Sequence, residues 1–383
     1  MIKNKKEIKF IMSNTINFTG KIRKLKDGGY EEREFNGGLV KKILRFLVIA
    51  GDTVQRMEIS TLVWKDEKKN KIYTLKYNEN GKDEKLEVSW ANRFNKEIID
   101  SVSGYKKFVV DTDTKEHRDE LTKAGNDEEL NASKNKRKEF LHASDFIDYL
   151  KRVLDNEKSR DMVFSISGTL DFNYSESKDM HYRTFTPQKV TRVVDDAEQF
   201  CRGSINAYFG ENAVDDIAAD ETGDIVFNVY AQYYDTNVRA NAFAPFSFVI
   251  NKDNKLAKGF KTLFSKASGE EVKELGIAVD FINGAQRQPI TFEMLNDEQQ
   301  ELIELGMATL EEIAKELGDS AYGKEKKVET RLVDFMRGYK AKGVQDTAYT
   351  IYDCMKKPVK VQTEEVVDLF AGDGNDDDLD IDI

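Results

Sequence analysis

Alternation of apolar and polar residues runs through much of the first hundred residues, and it is the feature that most constrains the fold. Phe18 and Ile22 are separated by polar and basic residues, and Met57 and Ile59 repeat the pattern. Successive side chains of a β-strand point to opposite faces, so each such segment predicts a strand with one buried face. Several short strands at close spacing predict an antiparallel sheet or small β-barrel over residues 12–110.

A similar pattern returns after residue 162. The sequence Phe-Thr-Gly, which ends at Gly20, resembles Ile-Ser-Gly, which ends at Gly168. A similar valine-led segment follows each, starting at Val40 and at Val190. The two separations are similar, at 20 and 22 residues. The echo predicts that residues 143–290 hold a helix and then a second copy of the small β-fold. Because few residues are identical, chance similarity between two β-segments is the alternative.

The segment between the two β-units is dense in both charges and almost free of large apolar residues. This composition predicts that residues 111–142 form a mobile charged linker or insertion. An amphipathic pattern that includes Phe146 and Leu150 then predicts a short helix, capped by Ser144 or Asp145.

The last hundred residues change character again. Apolar spacing predicts a helical region over residues 291–360, with one helix capped at Asn296 or Asp297 and a second beginning at Lys326. Residues 361–383 combine glycines with aspartates, and this composition predicts a disordered acidic tail. The predicted fold class is therefore α+β, mainly β.

The charge is distributed unevenly along the chain. The net charge is -11, yet residues 364–383 carry nine acids and no lysine or arginine. Residues 1–110 carry 24 Lys and Arg against 15 Asp and Glu, a balance of +9, which leaves -11 for residues 111–363. A basic front and an acidic tail favour a polyanionic partner or an interaction tail.

Signatures of catalysis are absent from the sequence. It contains no phosphate-binding glycine motif, no nucleophile elbow, no HExxH and no CxxC. The three histidines lie far apart, and two cysteines cannot alone form a zinc site. Asp111 and Asp113 follow a predicted strand, as metal-binding aspartates do, but a solvated turn is the favoured interpretation. We expect no metal and no cofactor.

Targeting segments are not visible either. No apolar run approaches the 20 residues of a membrane helix, and the lysine-rich start lacks the apolar core of a secretory signal. We expect a protein of the cytoplasm that does not contact membranes.

Basic and aromatic residues interleave in the first β-unit. Cations track the phosphates of a nucleic acid, and flat rings stack on exposed bases. Trp64 is the best stacking candidate because alternation places it opposite Met57 and Ile59, whereas Trp90 fits a core position better. Tyr230 and Tyr234 of the second unit offer a further stacking platform. The candidate nucleic-acid-binding residues are Lys21, Arg23, Lys24, Arg33, Lys41, Lys42, Arg45, Arg56, Trp64, Lys65, Tyr73 and Tyr77.

The end of the chain alternates aspartates with apolar residues. Such an end suits a peptide that docks in a basic-rimmed apolar pocket of a partner, or that competes with nucleic acid for the protein's own groove. An acidic solubility tail is the alternative. The candidate partner-binding residues are Asp376, Asp377, Asp378, Leu379, Asp380, Ile381, Asp382 and Ile383.

The basic, aromatic β-unit and the acidic, apolar terminus together resemble the single-stranded DNA-binding proteins of bacteria and their phages. The resemblance implies one or two OB-like small barrels that hold the strand. It also implies a tail that recruits proteins of replication, recombination and repair. This chain is longer than the common bacterial form, has a second β-unit and ends in Ile-Asp-Ile, which suggests a phage-type variant acting in the host cytoplasm.

Two other classes of protein stay open. A virion structural or assembly protein, or a general protein-interaction module, would scatter its cations over the surface and bury Trp64. An enzyme would need a cleft with clustered carboxylates, including Asp111 and Asp113. The sequence leaves open the oligomeric state, the preference for DNA over RNA and the site size.

Overall fold

The structure is a computed structural model of the 383-residue chain. It describes residues 14–335, except for 78–82, 176, 179, 216–222, 236–239, 269–270, 289–291, 293–294, 311 and 314–322, and it also describes residues 345–350. The predicted acidic tail, residues 361–383, lies outside the described residues. Among the described residues, no helix is long and apolar enough to cross a membrane.

The first half of the chain alternates long strands with a helical insertion. Its strands are β1 (Thr15–Lys24), β2 (Tyr30–Phe35), β3 (Leu39–Ala50), β4 (Thr53–Trp64), β5 (Lys71–Lys76), β6 (Glu84–Ser89), β7 (Phe108–Asp111), β8 (Arg137–Phe140), β9 (Val163–Ser175) and β10 (Met180–Arg192). Its helices are α1 (Lys96–Ser101), α2 (Lys115–Ala124), α3 (Asp127–Lys134) and α4 (Ala143–Asp155).

The second half is built mainly from longer strands. These are β11 (Phe200–Phe209), β12 (Val214–Asp215), β13 (Asp224–Asp235), β14 (Ala240–Asn251), β15 (Glu271–Gln288), β16 (Gly323–Phe335) and β17 (Gln345–Thr350). Its helices are α5 (Ala257–Phe264) and α6 (Asp297–Glu304). The prediction of a mainly β chain with some helix is confirmed.

Five strands of the first half pair in a closed ring, which we call the first ring. The order is β1–β3–β4–β10–β9 and back to β1. Every pairing is antiparallel except that of β4 with β10, where Phe185 lies opposite Met57. The inner side chains, among them Phe18, Phe46 and Met57, are fully buried.

The second half repeats this arrangement in a second ring. Its order is β11–β13–β14–β16–β15 and back to β11. The single parallel pairing again joins the third strand to the fifth, with Val249 opposite Arg331. A helix precedes the fourth strand in both rings: α4 before β9 and α5 before β15. The second unit is therefore a structural repeat of the first.

The two rings share a sheet and a core. The first strand of each ring pairs with the other, antiparallel, from Thr15 opposite Ser204 to Thr19 opposite Phe200. The Phe281 ring of the second unit lies 4.9 Å from that of Phe185 and 6.1 Å from that of Phe18, centroid to centroid. One hydrophobic cluster therefore runs through both units.

The boundary predicted between the two β-units is wrong. Residues 143–290 were expected to form the second unit, but β9 and β10 complete the first ring. The echoed glycines are not equivalent positions of the repeat, because β1 and β9 are neighbours in that ring. A Cβ at Gly20 would overlap the Ile49 carbonyl oxygen, and one at Gly168 would overlap that of Thr186. The shared glycine reflects close backbone approach in each case.

The prediction of a mobile linker over residues 111–142 is also wrong. This segment folds as the end of β7, α2, α3 and β8, which together we call the charged insertion. Its apolar contribution to the core is small: Phe140 of β8 joins the main hydrophobic cluster, and Leu121 and Leu130 are buried outside it. Ion pairs supply the rest of the order, because Arg118 donates to both carboxylate oxygens of Asp111, at 2.7 and 2.6 Å. Composition alone does not reveal that the charges pair with one another.

The predicted helical region, residues 291–360, is only partly helical. The α6 helix begins where expected, with Asn296 and Gln299 forming a capping box. The second helix, predicted from Lys326, is wrong because β16 occupies Gly323–Phe335 and pairs along β15. Long-range pairing with an extended neighbour outweighs local apolar spacing here. The rest of the region includes β17, and residues 351–360 lie outside the described part.

The helix predicted around Phe146 is confirmed as α4. Its apolar face buries Phe146, Ile147 and Leu150 against the first ring. The cap is His142 rather than Ser144 or Asp145, since the His142 Nδ1 atom accepts a hydrogen bond from the Ser144 backbone N–H at 3.1 Å.

Candidate nucleic-acid interface

The outward sides of β1, β3 and β4 form one continuous surface, which we call the outer face. Residues directly opposite one another in an antiparallel pair share a face. Strand register therefore forms two rows across β1, β3 and β4, with Leu47 between Arg23 and Arg56 in one row and Ile49 between Lys21 and Val54 in the other. The same register also covers buried Leu39 and Ile43 and exposed Ser60, but we use the name outer face for the other residues of this side. These are Lys21, Arg23, Lys41, Arg45, Leu47, Ile49, Val54, Arg56, Glu58, Leu62 and Trp64.

The structure brings most of the predicted basic residues to this side of the first ring. Arg33 joins the outer face because it lies opposite Lys41 in the β2–β3 pairing. Lys65 follows Trp64 directly and is exposed, with its Nζ atom 2.5 Å from Glu34 Oε2. For Lys21, Arg23 and Arg56 this placement follows from the period-2 alternation of the sequence, whereas the other positions come from strand register.

Lys24 and Lys42 lie on the other side of the sheet. Register pairs Lys24 with buried Phe46, and Lys42 has the same parity on β3. Both ammonium groups contact α4: Lys24 Nζ lies 3.2 Å from Asp155 Oδ1, and Lys42 Nζ lies 2.7 Å from Asp148 Oδ2. Because both lysines form ion pairs with acids of α4, their positions are explained without a nucleic-acid ligand.

Carboxylates are interspersed with the outer-face cations. The Glu58 carboxylate accepts from Arg45 Nε at 2.8 Å and lies 3.8 Å from Arg56. Arg33 and Arg45 both contact Glu31. Lys21 is 3.9 Å from Asp161. The outer face is thus a mixed surface on which arginines are oriented by acids, rather than a bare basic track.

The pKa values of these groups follow from the pairing. Burial lowers the pKa of the Arg45 guanidinium, but Glu58 and Glu31 outweigh burial and leave the pKa above its ordinary value. The hydrogen bond from Arg33 is the main cause that lowers the pKa of Glu31. Both groups therefore stay charged near neutral pH, and the arginines are held in fixed positions.

Lys41 differs from its neighbours. Within the described part of the chain it has no hydrogen bond and no ion pair, and Arg56 has only the 3.8 Å contact with Glu58. Together with Lys21, whose one contact with Asp161 is also long, these two residues have the cationic charge most available to an anionic ligand.

The candidate aromatic residues are exposed as predicted. Trp64 is 36% exposed, and Lys69 Nζ lies 5.3 Å from its ring centroid. Tyr73, on the outward side of the β5–β6 ribbon, is 73% exposed and Tyr77 is 64% exposed. Trp90 is buried in a cluster with Val63 and other residues of this region, so its core assignment is confirmed.

Sequence reasoning missed the apolar part of the outer face. Leu47, Ile49 and Val54 are half-buried on the side that carries Lys21 and Arg56. The signal is present in β3, whose run from Leu44 to Ala50 is apolar at almost every position and therefore on both faces. A strand that is apolar on both faces has a second contact surface.

The second ring offers aromatic and amide side chains instead of cations on the corresponding strands. Tyr234 is 52% exposed on the outward side of β13, next to buried Gln232. Tyr230, the other predicted stacking residue, is partly buried against Tyr208 and Phe243.

The titratable groups that a metal or nucleophilic mechanism would use are engaged in the structure. Asp113 accepts from Ser133 Oγ at 2.8 Å, from Lys136 Nζ at 3.0 Å and from the His117 ring. Burial raises the pKa of the Cys201 thiol to about 12 and lowers that of His142 to about 4. Over the described ranges, no group of three or more His, Cys, Asp or Glu residues is arranged to hold a metal ion.

Comparisons with known proteins give little further guidance. No family model matches the sequence, and no curated protein is significantly similar to it. Among solved structures, the wild-type single-stranded DNA binding protein from Thermus aquaticus aligns with 70% of this chain and 85% of its own, at 10% identity and a TM-score of 0.31. A deletion mutant of that protein aligns at 9% identity, over 70% and 86% of the two chains, with the same TM-score. Scores this low carry no argument about fold or function.

Proposed function

We propose that each ring is an OB-type barrel and that the chain is a tandem of two. An OB-fold is a five-stranded Greek-key barrel, and its second and third strands form the face that binds oligonucleotides. The closed order of five strands, the parallel pairing of the third with the fifth and the helix before the fourth all support this assignment.

We propose further that the protein is a non-catalytic single-stranded DNA-binding protein. The observation that carries this proposal is the content of the outer face. In the first ring the second and third strands are β3 and β4, and their outward sides present Lys41, Arg45 and Arg56 with half-buried apolar residues between them. Exposed Trp64 ends the third strand.

Each part of the outer face has a role in binding a strand. Lys41, Arg56 and Lys21 contact phosphates and release counterions. Leu47 and Ile49 provide a flat apolar floor for unstacked bases, and Trp64 stacks on one of them. Tyr73 and Tyr77 on the β5–β6 ribbon extend the stacking surface beyond the ring. We expect duplex DNA to bind weakly, because its bases are stacked and paired inside the helix and cannot contact the apolar floor or Trp64.

The acidic tail has the second role in this proposal. Residues Asp376 to Ile383 recruit proteins of replication, recombination and repair, and compete with DNA for the outer face when no strand is bound. This arrangement suits a phage-type protein acting in the host cytoplasm.

The main alternative is a virion structural protein or a protein-interaction module. That function predicts scattered cations and a buried Trp64. The grouping of Lys21, Arg23, Lys41, Arg45 and Arg56 on one face, with Trp64 exposed, supports the nucleic-acid binder instead.

Fluorescence titration with oligo(dT) and with a mixed-sequence duplex tests the proposal. We expect the wild-type protein to prefer oligo(dT) and to lose affinity as salt rises. Trp64→Ala should weaken binding by about 1–3 kcal/mol through lost stacking. The double variant Lys41→Ala with Arg56→Ala should weaken binding and reduce its salt dependence. The slope of log affinity against log salt concentration should fall by about 0.7 for each lost phosphate contact.

Lys24→Ala is the matched control. This variant also removes one exposed cation, at the end of β1, but on the side of the sheet that faces α4. Its affinity for oligo(dT) should stay close to that of wild type. Equal affinity for oligo(dT) and duplex, or binding that ignores salt, would contradict the proposed function.

A further inference from the structure

A cavity lies where the two rings meet, away from the outer face of the first ring. Its volume is about 230 Å³. It lies between the residue that precedes β1, the middle of β9 and the end of β13. The lining residues are Asn14, Leu170, Asp171, Phe172, Gln232, Tyr233 and Tyr234. A water molecule occupies about 30 Å³ of liquid, so the cavity has room for a planar group much larger than water.

Gln232 is the unexplained residue in the cavity wall. It is 3% exposed, and its Nε2 atom has no hydrogen-bond partner among the described residues. Asn14 does not supply one, because its side chain is already used: Nδ2 donates to the Gln232 backbone carbonyl at 2.8 Å, and Oδ1 accepts from the Asn206 backbone N–H at 3.3 Å. A buried amide without a partner is costly, and Asn206 Oδ1 on the adjoining strand β11 is a buried acceptor that also has none among the described residues, so either an Asn206–Gln232 hydrogen bond or a ligand can satisfy the Gln232 donor.

A second lining residue, Asp171, offers an acceptor. Asp171 is exposed on β9, and one of its carboxylate oxygens accepts from Thr169 Oγ1 at 2.8 Å. The other oxygen has no protein partner in the described part of the chain. The exposed ring of Tyr234 lies at the rim, and Phe172 contributes an apolar wall. The cavity therefore combines an amide donor, a carboxylate acceptor and aromatic surface.

Nucleobases differ in how they match this combination. Thymine and guanine carry a carbonyl directly beside a ring N–H, so they can accept from the Gln232 amide and donate to Asp171. In cytosine and adenine the corresponding ring nitrogen is an acceptor, which repels the Asp171 carboxylate, and their amino groups reach that carboxylate only if the base lies differently in the cavity. Asp171 also disfavours a phosphate in the cavity, because two negative charges would then lie close together.

We propose that this cavity, which we call the junction pocket, binds one keto base of the single strand, with Gln232 donating to the base carbonyl and Asp171 accepting its ring N–H. The inference rests on the proposed single-strand binding. It adds a base-selective contact at the junction of the rings to a first-ring surface that reads no sequence.

Oligo(dT) and oligo(dC) of equal length provide the probes, since both are pyrimidine strands and differ in the ring N–H. We expect the wild-type protein to bind oligo(dT) about tenfold more tightly than oligo(dC), the size of one good base contact. Gln232→Leu and Asp171→Asn should each bring the ratio close to one. Oligo(dC) affinity should change little.

Two further measurements keep the test decisive. Asn228→Ala is the control, because Asn228 is an exposed amide residue on the outward side of β13 outside the pocket, and its ratio should stay at the wild-type value. The Tm of Gln232→Leu should match or exceed that of wild type, since the variant removes an unpaired buried amide. Asp171 is exposed, so Asp171→Asn should fold normally.

The outcomes separate the two claims. Wild-type protein that binds neither oligonucleotide better than duplex contradicts the proposed function, and the junction pocket with it. Tight binding of both strands, with a ratio that neither Gln232→Leu nor Asp171→Asn changes, leaves the proposed function intact and overturns the junction pocket. A lower Tm for Gln232→Leu, with an unchanged ratio of oligo(dT) to oligo(dC) affinity, gives Gln232 a structural role and also overturns the junction pocket.

Discussion

At the scale of residues, the outer face depends on carboxylates as much as on cations. Glu58 and Glu31 hold Arg45 in place, and Glu58 also lies near Arg56. Acids beside a phosphate-binding surface reduce its affinity, but they fix the arginine side chains and so reduce the entropy lost on binding. The balance between these two effects can be measured by removing one carboxylate.

Glu58→Gln should tighten the binding of oligo(dT). The substitution adds one unit of positive charge to the outer face and frees Arg45 and Arg56 for phosphates. We expect roughly a threefold gain in affinity, about 0.7 kcal/mol, with a steeper salt dependence. Fluorescence titration at two salt concentrations measures both effects.

Asp155→Asn is the matched control for this change. It makes the same change in net charge, but Asp155 pairs with Lys24 on the side of α4. If both variants gain the same affinity, overall charge rather than the outer face would govern binding, and the proposed surface would be wrong.

At the scale of elements, sequence reasoning succeeded where burial alternates and failed where charges pair. The strands β1 and β4, the exposed side of Trp64 and the helix α4 follow from apolar periodicity. The charged insertion does not, because its order depends on which lysine or arginine reaches Asp111 and Asp113 across separate elements. Likewise β16 has helix-compatible spacing, and only its pairing with β15 makes it a strand.

Asp113→Asn should loosen the charged insertion while leaving the rings folded. Burial raises the pKa of Asp113, but hydrogen bonds from Lys136, Ser133 and His117 outweigh it and hold the pKa well below its usual range. Asp113 is buried, but its partner Lys136 is half exposed, so the substitution costs about 1.5 kcal/mol, the size of one hydrogen bond to a charged group. Amide hydrogen exchange within α2 and α3 should therefore quicken about tenfold, with β1 and β3 unaffected.

The pH dependence of the wild-type insertion has the same origin. A carboxyl group whose pKa is lower in the folded state than in the unfolded state stabilises the fold above the unfolded value, about 3.9. Protection of α2 and α3 should therefore fall as pH drops below about 4. Asp119→Asn, an isosteric change at an exposed site on α2, is the control for Asp113→Asn. Equal amide exchange rates in Asp113→Asn and Asp119→Asn would contradict a role for the ion pairs of Asp113.

At the scale of the whole molecule, the two rings share one core, and we expect them to unfold as one cooperative unit. They share the β1–β11 pairing, and Phe281 of the second ring packs on Phe18 and Phe185 of the first. Gln55 Nε2 of the first ring also donates to the Phe281 carbonyl at 3.1 Å. The return of strand periodicity after residue 162 indicated further β-structure in the sequence. The echo of Gly20 in Gly168 did not mark a repeat, because both are sites of close backbone approach within the first ring.

Gly203→Ala tests the junction between the rings. A Cβ at Gly203 would lie 2.6 Å from the Phe281 ring, so the ring must shift and the shared core loses about 1–3 kcal/mol. Calorimetry should show a single transition at lower Tm. Gly259→Ala is the control, because nothing lies within 4 Å of its Cβ and alanine favours its helix. Two separate transitions, with only one displaced, would show that the rings unfold independently.

The most direct test of the central claim is to map where a strand binds. Photo-crosslinking of a bromodeoxyuridine oligonucleotide to the full chain, followed by peptide mass spectrometry, identifies the contact residues. We predict crosslinks to peptides that carry Trp64 and Tyr73 and none to α4. Crosslinks confined to α4 or to the charged insertion would contradict the assignment of the outer face.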